Sequence, residues 1–74
     1  KVLNLDRLQE ISEKYSLDTV DLDVLRTNGI INKQDLVKVL GTGELTAKLN
    51  VTVNAASSSA KEAIEKAGGS VNLV

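Results

Sequence analysis

The stretch Lys38-Val39-Leu40-Gly41-Thr42-Gly43-Glu44-Leu45, continued by Leu49-Asn50-Val51-Thr52-Val53 and then by Ser57-Ser58-Ser59-Ala60-Lys61-Glu62-Ala63-Ile64-Glu65-Lys66-Ala67-Gly68-Gly69, decides the fold. Leu49, Val51, Val53 and Ala55 alternate with Asn50, Thr52 and Asn54, the period of a strand with one buried and one wet face. Ala60, Ala63, Ile64 and Ala67 then fall at i, i+3, i+4 and i+7, one stripe of a helix. The stretch therefore reads as a strand, a glycine turn, a second strand and a capped helix. Small alanines on the stripe let the helix axis lie close to a sheet, and Ile64 supplies most of the buried volume.

The ends of this helix are also written in the sequence. Ser59 and Glu62 have the spacing of a capping box, in which hydroxyl and carboxylate each satisfy an orphan backbone N–H. Ser57 is a rival N-cap two positions earlier, and the sequence leaves both open. Gly68 suits the left-handed residue just past the last turn, and Gly69 gives a second flexible joint before Ser70-Val71-Asn72-Leu73-Val74 returns as a strand.

Working outward, Lys1-Val2-Leu3 reads as an edge strand. Asn4 is a good N-cap, and Leu5, Leu8, Ile11 and Tyr15 follow at helical spacings, predicting a helix over residues 5–14. Asp6 in its first turn and Lys14 in its last both suit the helix dipole. Ser16-Leu17-Asp18-Thr19 is a linker. A second, short helix starts with Asp21 or Thr19 as cap, buries Leu22 and Leu25, and stops at Asn28-Gly29. Ile30 and Ile31 anchor the exit, and Asn32-Lys33-Gln34-Asp35 is a polar turn into a strand over Leu36–Leu40. The expected fold is α/β, a small mixed sheet covered by about three helices.

Seventy-four residues make one domain, and a chain this short buries only about 60–65% of its unfolded surface. Hydrophobic residues are 42% of the chain, yet Tyr15 is the single aromatic, so the core must be built from Leu, Val, Ile and Ala. Without Cys there is neither a disulfide scaffold nor a thiolate metal site. No apolar run approaches the ~20 residues of a membrane span, and no signal-peptide pattern opens the chain. A soluble intracellular domain is the simplest reading, with no membrane association and no cofactor.

Chemistry is poorly supported. There is no His, no Cys, and no Ser placed beside a plausible general base. The serine triplet is explained by capping. Gly41-Thr42-Gly43 lacks the third glycine of a phosphate loop and leads into a strand, so it reads as a tight turn. Residues 6–23 carry six acids, Asp6, Glu10, Glu13, Asp18, Asp21 and Asp23, against Arg7 and Lys14, without the ligand spacing of a calcium loop. Residues 33–61 carry Lys33, Lys38, Lys48 and Lys61 against Asp35 and Glu44. The net charge of −1 argues against a self-sufficient nucleic-acid binder, but if a face touches RNA, the second segment is the one.

The run K-V-L-G-x-G-x-L, the alternating strand after it, and S-x-x-A-x-x-x-I-x-x-x-G resemble the signature of the bacterial-type large-subunit ribosomal protein L-fifteen family. Lys38, Val39, Leu40, Gly41, Gly43, Leu45, Leu49, Val51, Ala56, Ser57, Ala60, Ile64 and Gly68 fill its positions, and Val2-Leu3-Asn4-Leu5-Asp6-Arg7-Leu8 looks like the start of that family's C-terminal domain. The resemblance implies an irregular β–β–α winding and a structural, non-enzymatic part of the large ribosomal subunit that supports its assembly. It implies as partners large-subunit ribosomal RNA and neighbouring ribosomal proteins, and as location the ribosome, cytoplasmic or organellar. The family's long, basic, glycine-rich N-terminal extension is not in this sequence, so residues 1–74 are expected to be the globular C-terminal part of a longer protein, monomeric in isolation.

A helix N-terminus presents free N–H groups and a positive dipole end, and the serines and Lys61 surround it with further donors. The candidate RNA-contact residues are accordingly Lys38, Lys48, Ser57, Ser58, Ser59 and Lys61. The alternative is a protein-interaction module whose C-terminal strand, carrying Val71, Leu73 and Val74, pairs edge to edge with a partner protein.

Overall fold

The computed structural model describes residues 1–74. The chain winds in three successive turns, each laying down one strand on either side of the molecule. The first turn is β1 (Val2–Asn4), α1 (Leu5–Tyr15) and β2 (Thr19–Val20), linked through α2 (Leu22–Thr27) and residues 28–37 to the second. The second is β3 (Lys38–Leu40), an extended segment over 41–49, and β4 (Asn50–Val53); the third is β5 (Ala55–Ala56), α3 (Ser58–Lys66) and β6 (Ser70–Leu73). Odd strands form one sheet in the order β1-β3-β5 and even strands a second in the order β2-β4-β6. All four pairings are parallel.

The α/β class, the three helices and the β–β–α winding are as expected. The sheet, however, is two three-stranded sheets, and the strand–turn–strand reading of 38–55 gives way to a crossover. β3 and β4 do not pair at all but belong to different sheets, and residues 41–49 carry the backbone from one sheet to the other, as α1 and α3 do in the turns on either side. The strand read over Leu49–Ala55 is also cut at Asn54, where the chain passes between sheets. Thr19, read as the end of a linker, instead opens a two-residue strand with Val20 that pairs with Asn50 and Val51. The strand read from Leu36 begins at Lys38, and Leu36 itself is exposed.

The periodicities hold in three dimensions. Leu49, Val51, Val53, Ala60 and Ile64 are all fully buried in one cluster with Leu3, Leu5, Leu8, Ile11, Val20, Leu25, Ile31, Val37 and Val39. Tyr15 only packs against its margin. Val2 lies in the edge strand β1, as read.

The helix ends follow their residues. Asp21 Oδ1 accepts the Val24 N–H at 2.8 Å, which makes it the cap of α2. That helix ends with Gly29 at φ 72°, its N–H on Arg26 O at 3.1 Å and the Ile30 N–H on Leu25 O at 2.9 Å. α3 ends in the same paired pattern, with Gly68 at φ 94°, its N–H on Glu65 O at 2.9 Å and the Gly69 N–H on Ile64 O at 3.0 Å. Gly69 is no flexible joint: a Cβ there would overlap the backbone carbonyl of Leu49, so the residue is fixed by the close approach of two segments. Asn4 stands at the N-cap of α1, but its carboxamide makes no capping hydrogen bond; the Leu5 N–H is held instead by Thr42 O at 3.0 Å.

Candidate RNA-contact face

α3 starts where β5 stops. Ser57 donates its N–H to Val39 O at 3.0 Å, which ties the cap to the central strand of the odd sheet. In this extended conformation its Oγ accepts the Ala60 N–H at 3.2 Å, so Ser57 is the N-cap and the Ser59–Glu62 box is not formed. Ser57 Oγ and Ser59 Oγ lie 3.2 Å apart, and Ser58 and Ser59 are exposed. Lys61 follows one turn on, its N–H on Ser57 O at 3.0 Å. Lys38 is exposed and in register with Ala55, two strand steps or roughly 7 Å before the cap.

The structure thus gathers Lys38, Ser57, Ser58, Ser59 and Lys61 at one end of α3. Lys48 stands elsewhere. Its aliphatic stem lies over Gly68, beyond the other end of the helix and roughly 15 Å from the serines. There it is joined by Lys66, which falls just past the lysine-bearing segment 33–61 and so escapes a reading of the charge by segments. The helical spacing of Ala63, Lys66 and Ala67 is the signal that would have found it, since all three line an open groove against Gly43, Glu44, Leu45 and Thr46. The ion pairs of the molecule are Arg7–Glu10 at 3.1 Å and Arg26–Asp23 at 3.6 Å, so all four lysines around α3 keep their ammonium groups out of ion pairs.

Gly41 and Gly43 serve the helices on either side. A Cβ at Gly41 would overlap the Ser59 hydroxyl in the first turn of α3, and one at Gly43, which has φ 92°, would overlap the Asp6 carboxylate in the first turn of α1. Asp6 Oδ1 accepts the Glu44 N–H at 3.0 Å, and Gln9 Oε1 accepts the N–H groups of Thr46 and Ala47 at 3.0 and 3.1 Å. These three donors are thus satisfied within the domain by side chains of α1. The acidic half of the sequence has a similar structural use, since Asp6 and Asp21 both hold backbone N–H groups.

The C-terminal strand is paired inside the domain. β6 runs beside β4 from Ser70 opposite Asn50 to Leu73 opposite Val53, and the Val74 N–H continues the ladder onto Val53 O at 3.0 Å. The interaction-module alternative is not supported.

Residues 2–72 match the profile of a family of ribosomal proteins that comprises 50S-L15, 50S-L18e and their counterpart in the 60S subunit. The chain is 53% identical over 70 residues to the large ribosomal subunit protein uL15 of Christiangramia forsetii, covering 93% of this chain and 47% of that protein. It is 45% identical over 74 residues to the protein of the same name from Amoebophilus asiaticus, covering 100% and 49%. With that of Methylobacterium radiotolerans it shares 53% identity over 76 residues, covering 97% and 46%. The chain spans about half the length of the curated relatives it matches.

Proposed function

The chain belongs to the ribosomal protein family of 50S-L15 and its relatives, and on that premise we propose that it is the globular C-terminal domain of a structural, non-enzymatic constituent of the large ribosomal subunit. It binds large-subunit ribosomal RNA through phosphates, contacts neighbouring ribosomal proteins, and supports assembly in the cytoplasm. On its own it is a monomer.

The observation that carries this reading is the set of lysines free of ion pairs around α3, with Lys38, Lys61 and the serine cap at one end and Lys48 and Lys66 at the other. Ammonium groups, hydroxyls and a helix N-terminus suit phosphate oxygens, and such contacts position a protein on RNA without reading its bases. A chain without His or Cys lacks the commonest acid–base side chain and any thiolate.

The test is incorporation of the full-length protein into large subunits, read as its ratio to other subunit proteins across a density gradient. Lys61→Glu and Lys48→Glu are made separately, because they probe opposite ends of α3. Reduced incorporation of either variant supports contact at that end, and wild-type incorporation of both removes this face as the RNA contact.

A further inference from the structure

Six asparagines occur in the sequence, and Asn28 alone precedes a glycine; the others precede Leu5, Lys33, Val51, Ala55 and Leu73. An Asn–Gly pair is chemically the most exposed to deamidation, because no Cβ hinders the following peptide nitrogen when it approaches the carboxamide carbon. Here the pair is built into the end of α2. Asn28 Nδ2 donates to Val24 O at 2.9 Å, the Asn28 N–H to the same oxygen at 3.1 Å, and the Gly29 N–H to Arg26 O at 3.1 Å. The Ile30 N–H on the carbonyl of fully buried Leu25 pins the backbone beyond it. The attacking nitrogen therefore has its proton held, and the departing amide is held as well.

We propose that Asn28–Gly29 is a latent deamidation site, kept shut by the C-terminal cap of α2 and released when that turn opens. In the open state the Gly29 nitrogen loses its proton and attacks Asn28 Cγ. The new C–N bond forms as the bond between Asn28 Cγ and Nδ2 breaks, and ammonia leaves with the proton. Water then opens the cyclic imide at either carbonyl, giving aspartate or isoaspartate at position 28, with no change of oxidation state. Neither product can restore the bond from Asn28 Nδ2 to Val24 O. A carboxylate would face Val24 O where a donor stood and would sit at the negative end of the helix dipole, while the isomer adds a backbone methylene within the turn. A transient opening leaves a permanent chemical change.

The reaction is followed by peptide mapping of the whole chain at mildly alkaline pH, in buffer and in denaturing urea. In urea, position 28 reacts first among the six asparagines. In buffer its rate falls by at least about tenfold, since it follows the population of the open turn. Asp21→Ala removes the N-cap of α2 without touching the reacting pair, so it raises the rate in buffer and leaves the rate in urea unchanged. Sub-denaturing urea acting on the unaltered protein is a second route to the same opening, and the rate rises in step with hydrogen exchange of the Gly29 amide. Equal rates in buffer and urea, an earlier reaction at another asparagine in urea, or a rate at position 28 that ignores opening by both routes would overturn the proposal.

Discussion

The carboxamide oxygen of Asn54 accepts the backbone N–H of Val37 at 2.8 Å, while Val37 O takes the N–H groups of Asn54 and Ala55 at 3.1 Å. One side chain thus completes a strand-like exchange at the corner where the backbone leaves the even sheet for the odd one. Val37 is fully buried, so without Asn54 its N–H has no partner and no water. Asn54→Ala is expected to cost about 1–3 kcal/mol in urea unfolding, a large part of the roughly 4–11 kcal/mol available to a protein of this length. Asn54→Asp keeps the acceptor and costs less.

The two adjacent glycines after α3 should respond differently. At Gly69 an added Cβ meets the Leu49 carbonyl, which is backbone and cannot turn aside. Gly69→Ala is expected to lose more than about 3 kcal/mol or to prevent folding, as read by circular dichroism melting. At Gly68 a Cβ meets only the Lys48 stem, 3.6 Å away, and the cost is that of φ 94°, about 1–2 kcal/mol.

Ser16 ends α1 at φ 53°, the left-handed position that Gly29 and Gly68 occupy after the other two helices. Ser16→Gly removes the strain of an L side chain there and gives back part of it to the freer unfolded state. A net gain of about 0.5–1 kcal/mol is expected, with Tm rising by about 2–8 °C.

Gln9 holds the middle crossover from the side, through the N–H groups of Thr46 and Ala47. Gln9→Ala should leave the two sheets intact and speed hydrogen exchange at those two amides. Unchanged exchange there would show that the groove-lining segment is held by other contacts.

These 74 residues alone, at a net charge of −1, should bind ribosomal RNA weakly or undetectably at physiological salt. Filter binding at a series of salt concentrations checks this. Tight binding with a steep salt slope would place more of the RNA affinity in these residues than their charge allows.

What was legible in the sequence was what repeats locally. Leu49, Val51 and Val53 share a buried face because alternation along a strand is geometry, and Ala60 with Ile64 does the same for α3. Gly29 and Gly68 mark helix ends because only a few residue types tolerate that turn. The misread features were set by partners far along the sequence. Thr19–Val20 is too short to show a period and becomes a strand only beside Asn50 and Val51. Asn4 makes no side-chain cap while Thr42, far along the chain, holds the Leu5 N–H, and Gly41 and Gly43 are explained by the helices they touch, not by a turn. At the candidate site, the choice of Ser57 over Ser59 follows from where β5 lets go of β3. The separation of Lys48 from Lys61 is a matter of which end of α3 each one meets.

The interleaving of the strands has a consequence for the order in which this polypeptide acquires its shape. No strand finds its partner in the next one made: Val2 waits 36 residues for Lys38 and Thr19 31 for Asn50, whereas Lys38 meets Ala55 after 17 and Asn50 meets Ser70 after 20. Closing the shorter loops costs less entropy, so the second and third windings are set to join first and the opening winding to dock onto them. Synthesis runs from N- to C-terminus, so the first of the three windings is made before the other two and yet is among the last parts of the domain to be enclosed.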